Sequence, residues 1–95
     1  MIKVVSKNTI KKEKSEEFIA MVARLVEATK SNDEGCIEYD LYQDLENPQI
    51  LTIIEEWESK EALDKHMQAP HFKEIVPQFA DFAGGPKELN IYKKA

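Results

Sequence analysis

Hydrophobic positions along this chain follow two rhythms, and the switches between them predict its elements. Ile2, Val4 and Val5 sit among lysines in a short β-branched run that reads as a strand over residues 2–9. Ser15-Glu16-Glu17 then offers an N-cap with acids in the first turn. Behind it Phe18, Met21, Val22, Leu25 and Val26 recur at three- and four-residue spacing, a helix to about Lys30. Ser31-Asn32-Asp33-Glu34-Gly35 is a polar breaker, beyond which Ile37, Tyr39 and Leu41 alternate with Glu38 and Asp40 as a half-buried second strand. The turn residues Asp44 to Pro48 lead into a third strand over residues 49–58, carrying Ile50, Leu51, Ile53, Ile54 and Trp57. Ser59 suits an N-cap, with Ala62, Leu63 and Met67 as the buried stripe of a helix ending near Ala69. Pro70 suits the first turn of another helix, whose apolar side is Phe72, Ile75, Val76, Phe79 and Ala80 and which Pro77 should kink. Gly84-Gly85-Pro86 reads as its stop, and Leu89 to Lys93 as a fourth strand.

Strand, helix, strand, strand, helix pair, strand is the split βαβ order of an α+β, ferredoxin-like fold: a four-stranded antiparallel sheet with its helices on one face. The third strand is apolar on both faces, with Leu51, Ile53 and Trp57 on one and Ile50 and Ile54 on the other. No further element remains to cover the second face, so Val4, Ile50 and Ile54 are expected to meet a second copy, sheet against sheet, in a homodimer.

The chain is 95 residues long, which makes residues 1–95 one domain and leaves its core thin. With 42% hydrophobic residues and a net charge of −5 it is a folding sequence, and an acidic one. Arg24 is the only arginine, so a nucleic-acid partner is not expected. The longest apolar run, Phe18 to Ala23, is short and Met1 to Lys7 lacks an export-type apolar core, so neither membrane nor export is expected. Cys36 is the only cysteine, which rules out an intrachain disulfide and points to a reducing cytoplasm.

Cofactor machinery is nearly absent. The only glycines are Gly35, Gly84 and Gly85, so neither a dinucleotide fingerprint nor a P-loop can be built. His66 and His71 are five apart with Pro70 between them, which misses the spacing that puts two metal ligands on one helical face; no metal and no cofactor is expected. Cys36 reads as an inert strand thiol, and His71 as a surface or capping residue. Two groups carry more promise. Period two places Glu55 beside Trp57 on the face of Leu51 and Ile53, where a carboxylate needs a partner or a raised pKa. His66 falls one turn after Ala62 and Leu63, so its imidazole can point between helix and sheet and move a proton near pH 7.

Together, Gly35-Cys36-x-x-Tyr39, Glu55-x-Trp57-Glu58-Ser59, His66 and Ala69-Pro70-His71-Phe72 resemble the antibiotic biosynthesis monooxygenase domain family, including its quinol-monooxygenase-like members, over nearly the whole chain. The resemblance implies a dimeric α-β barrel with a cavity in each subunit between sheet and helices. It also implies oxidation of a small phenolic or hydroquinone-like molecule by molecular oxygen without metal or flavin. On that reading His66 is the base, and Glu55 orients it or binds a substrate hydroxyl. Trp57 and Tyr39 wall the ring, and Asn8 donates a hydrogen bond. Haem-degrading relatives are a poor match, because the position of their iron-ligating histidine falls near Val76 and only Asn8 survives. An isomerase acting on a small phosphorylated molecule and a binding module without turnover stand as alternatives.

Overall fold

Every second residue from Val4 to Ile10 is buried, and the same alternation in Leu51, Ile53, Glu55 and Trp57 defines the sheet face on which the helices lie. In the computed structural model, which describes residues 1–95, the strands β1 (Ile2–Ile10) and β3 (Ile50–Trp57) are the central pair of a four-stranded antiparallel sheet. The edges are β2 (Cys36–Gln43), joined to β3 as the expected hairpin, and β4 (Ala83–Lys93), paired with β1, in the order β2-β3-β1-β4. This is the ferredoxin-like arrangement.

Helix α1 (Ser15–Asn32) buries Phe18, Met21, Val22, Leu25 and Thr29, one stripe at helical spacing. Ser15 is not its N-cap. A 3-10 turn, Lys12–Lys14, starts the winding earlier, and Ser15 Oγ donates back to the Lys11 carbonyl at 3.3 Å. Helix α2 (Lys60–Met67) does begin as expected, with Ser59 Oγ accepting from the Ala62 amide at 3.1 Å. Pro70 opens α3 (Pro70–Ile75), and around Pro77 the winding changes to a 3-10 segment over Val76–Phe82. Phe79 from that segment meets Phe18 edge-on, with ring centres 4.9 Å apart.

Two expectations about the sheet are corrected. Val4 is not on the uncovered face: paired with Glu55, it lies under the helices at 3% exposure, and Val5 takes its place beside Ile54. Two adjacent β-branched residues leave the facing open until the register is known. The fourth strand begins at Ala83 rather than Leu89, because Gly84 and Gly85 extend it instead of stopping it. A Cβ on Gly84 would lie 2.8 Å from the Lys11 amide nitrogen and one on Gly85 2.8 Å from Thr9 Cγ2, so β4 can run this close to β1 only without side chains there. The helices do not reach over β4, and Leu89 and Ile91, though on the helix side, remain half exposed.

Candidate functional site

A cavity of about 100 Å³ lies between the helix face of the sheet and the α2–α3 pair. Its apolar wall comes from Val4 and Ile53 below and from Leu63, Met67, Phe72 and Phe79 above. Glu55, His66, Tyr39 and Lys87 bring the polar chemistry.

His66 owes its position to the buried stripe of α2. One turn beyond Leu63, it is 1% exposed, tilted over the Trp57 ring at 4.6 Å, with Tyr39 and Phe72 edge-on at 5.0 and 5.1 Å. Its Nδ1 is 2.6 Å from Asp33 Oδ2, while its Nε2 is sealed from water and has no hydrogen-bond partner. An Nδ1–H donated to Asp33 fixes the tautomer with its lone pair on Nε2. Leaving that buried acceptor unmatched costs about 1–3 kcal/mol. Burial lowers the imidazole pKa, against the opposing pull of Asp33, and His71 lowers it further.

Asp33 is the residue that sequence reasoning missed, having placed it in a polar breaker. It caps the C-terminus of α1 in an extended conformation and turns its carboxylate toward α2. Gly35 permits this approach: its φ of 85° suits glycine, and a Cβ there would stand 2.6 Å from the Ala62 Cβ. His71 is likewise not a surface residue. The break between α2 and α3 returns it to the same carboxylate, with Nε2 2.8 Å from Asp33 Oδ2. The only signal in sequence was the pair of histidines astride Pro70.

Asp33, His66 and His71 each offer one metal-ligating atom, all within 4.8 Å of one another. Their contacts of 2.6 and 2.8 Å are those of proton-bridged groups, shorter than the roughly 3.3 Å between ligands around a tetrahedral zinc.

Glu55 does not orient His66. Its Oε1 accepts the Trp57 indole N–H at 2.9 Å, leaving the second oxygen for the cavity. Burial pushes its pKa up to about 7, against the lowering effect of that N–H. A folded pKa above the ordinary 4.5 stabilises the fold fully at acid pH, a contribution lost as pH rises from 4.5 through 7. Leaving the group ionised then costs about 3 kcal/mol at most. Glu55→Gln is therefore expected to flatten the stability profile between pH 4.5 and 7 and to stabilise the protein at pH 8. Urea unfolding at pH 5 and pH 8 checks this; an unchanged slope would contradict it.

The remaining candidates are placed unequally. Tyr39 lies on the wall, its phenol held protonated well above its usual range by burial and by Glu55. Trp57, fully buried, stands behind the wall, where it supports His66 and Glu55 rather than lining the cavity. Asn8 is outside the cavity, and its amide protons go to the Ser6 and Leu51 carbonyls at 3.1 and 3.2 Å. Cys36 keeps its proton, burial raising its pKa to about 11.

Comparison with known proteins adds the family context. The profile of the family described as "Antibiotic biosynthesis monooxygenase" matches residues 1–78. An uncharacterized protein of Synechocystis, sll1783, is 38% identical over 86 residues; the match covers 90% of this chain but 58% of that relative, so this chain spans little more than half its length. A conserved protein from Methanosarcina mazei has a crystal structure that superposes with a TM-score of 0.93 at 47% identity, covering 99% of this chain and 92% of that one. The crystal structure of a protein described as an antibiotic biosynthesis monooxygenase superposes with a TM-score of 0.90 at 29% identity, covering 100% and 99%. No helix here is long and apolar enough to cross a membrane.

Proposed function

This chain belongs to the antibiotic biosynthesis monooxygenase family, and on that premise we propose that it oxidises a small phenolic or hydroquinone-like molecule with molecular oxygen, without metal or flavin. The observation that carries the reading is the buried His66, which lines the apolar cavity, is held by Asp33 through Nδ1 and has no hydrogen-bond partner at Nε2. Such a nitrogen is a ready acceptor for a phenolic proton. Removing that proton makes the ring electron-rich enough to do what a cofactor otherwise does. The phenolate passes one electron to dioxygen, and the phenoxyl radical and superoxide combine at a ring carbon. Protonated His66 returns its proton to the resulting peroxide. Loss of the ring-carbon proton and cleavage of the O–O bond then release water and leave a quinone. One oxygen atom stays on the ring and the other leaves in water, so four electrons pass from substrate to dioxygen. Asp33 steadies the imidazolium, and Glu55, while protonated, donates a hydrogen bond to the oxyanion. Tyr39 walls the ring; Trp57 holds Glu55 and His66 in place from behind.

The active form we propose is a homodimer with the uncovered sheet faces together. Val5, Ile50 and Ile54 give that face an apolar centre, and Tyr42 and Tyr92, each about half exposed, stand on its two edge strands.

An oxygen electrode tests the activity. Single-ring hydroquinones and catechols are expected to drive oxygen uptake above a no-protein blank in the presence of a chelator. Thermal stabilisation by these ligands with no uptake above the blank would reduce the protein to a binding module.

A further inference from the structure

Lys87 is the one lysine or arginine on the cavity wall. It lies on β4 opposite Asn8 of β1, with Nζ 5.4 Å from the centre of the Phe79 ring. It makes no ion pair: the salt bridges of the chain involve Lys3, Lys30, Lys60, His66 and His71. With Val76 and Phe79 it also borders a second depression of about 260 Å³ beside Asn8 and Gly85, so these three residues form the partition between the two spaces.

Size restricts what enters the first space. An engineered apolar cavity of about 150 Å³ admits benzene, so about 100 Å³ holds one ring only with some yielding of Met67 and Leu89. Anything attached to that ring must project, and the shared partition is where a second space begins. Charge then selects the substituent. One lysine suits a single negative charge, and a phosphate group would call for more cations than the wall provides.

Resting on the oxygenase reading of the same cavity, we propose that Lys87 is a specificity-determining residue that selects single-ring phenols bearing one acidic substituent, which it holds at the Phe79 partition. The phenolic end then points toward His66 and Glu55, while the acidic end stays near solvent on the side left open by β4. The carboxyl of Glu55, protonated over much of the range below pH 7, does not repel such an anion.

Calorimetric titration under argon separates this from the oxidation itself. 4-Hydroxybenzoate is expected to bind roughly tenfold more tightly than its neutral counterpart 4-hydroxybenzamide, about 1.4 kcal/mol. Lys87→Met should make the two equal, and Lys87→Arg should restore the preference; the side chain is exposed, so neither change disturbs the core. Equal binding to the unmodified protein, a preference that survives Lys87→Met, or no binding of either probe would overturn the proposal. Oxygen uptake with a hydroquinone, measured separately, shows whether the oxygenase reading stands in that event. A Lys87-dependent preference without any uptake would sink the oxygenase reading and keep the ligand class.

Discussion

Replacing His66 with alanine is expected to lower the enzyme-dependent oxidation of a hydroquinone by roughly 10²-fold or more, the usual loss when a general base is removed. The pH profile should change with it. Burial holds the His66 pKa below its ordinary 6.5, so the neutral base accumulates, and activity rises, as pH increases through that lowered value. The groups facing the ring set where this happens: Asp33 opposes the lowering, His71 adds to it, and the uncharged faces of Tyr39, Trp57 and Phe72 exclude water. On the other side, Glu55 gives up its proton at about pH 7 and stops donating to the oxyanion. The unmodified protein should therefore show a bell, and His66→Ala should erase its acid limb. Hydroquinones oxidise faster by themselves as pH rises, so rates are read above a blank without protein. Unchanged turnover with the same profile would remove His66 from the mechanism and leave Glu55 as the acceptor.

Ile54→Asp is expected to have the second large effect, on assembly. Ile54 sits at the centre of the uncovered face, between Val5 of β1 and Asp40 of β2. In the proposed dimer a carboxylate there would be buried against the partner sheet and repelled by its neighbour Asp40, which together would cost on the order of several kcal/mol. Light scattering should give the unmodified protein about twice the 10.9 kDa mass of the chain. The variant should appear at the single-chain mass with a lowered melting temperature. A strictly single-chain mass for the unmodified protein at micromolar concentration would refute the dimer.

Element order and the double-sided third strand were legible because burial in a sheet imposes a period of two that polar residues respect. Ile50 and Ile54 against Leu51 and Ile53 needed no structure to sort. The facing of Val4 and Val5 was not legible, since either register satisfies two consecutive apolar residues. Gly84-Gly85-Pro86 carried a local signal for a stop, and a tertiary demand, close passage beside Lys11 and Thr9, overrode it. At the site, Glu55 and His66 were found because a charged or titratable group on an apolar stripe is conspicuous. Asp33 and His71 were not, because each lies where polar residues are ordinary, at a helix end and beside a proline. Only the folding of three separate segments onto one carboxylate gives them a role. Lys87 was hidden for the same reason, one lysine among many until β4 was seen to pass the mouth of the cavity.

The central claim is that His66 is a neutral base whose Nε2 accepts the hydrogen bond of the bound phenol and takes its proton as the ring is oxidised. Nitrogen-15 NMR of the histidine rings, recorded at pH 7 under argon with and without a saturating phenolic ligand, tests it most directly. The free protein should show His66 with its proton on Nδ1 and an unprotonated Nε2, and in the complex that Nε2 should stay unprotonated but shift as it accepts the phenolic O–H. A free protein already carrying the proton on Nε2, or an Nε2 signal that the bound phenol leaves unchanged, would contradict the account.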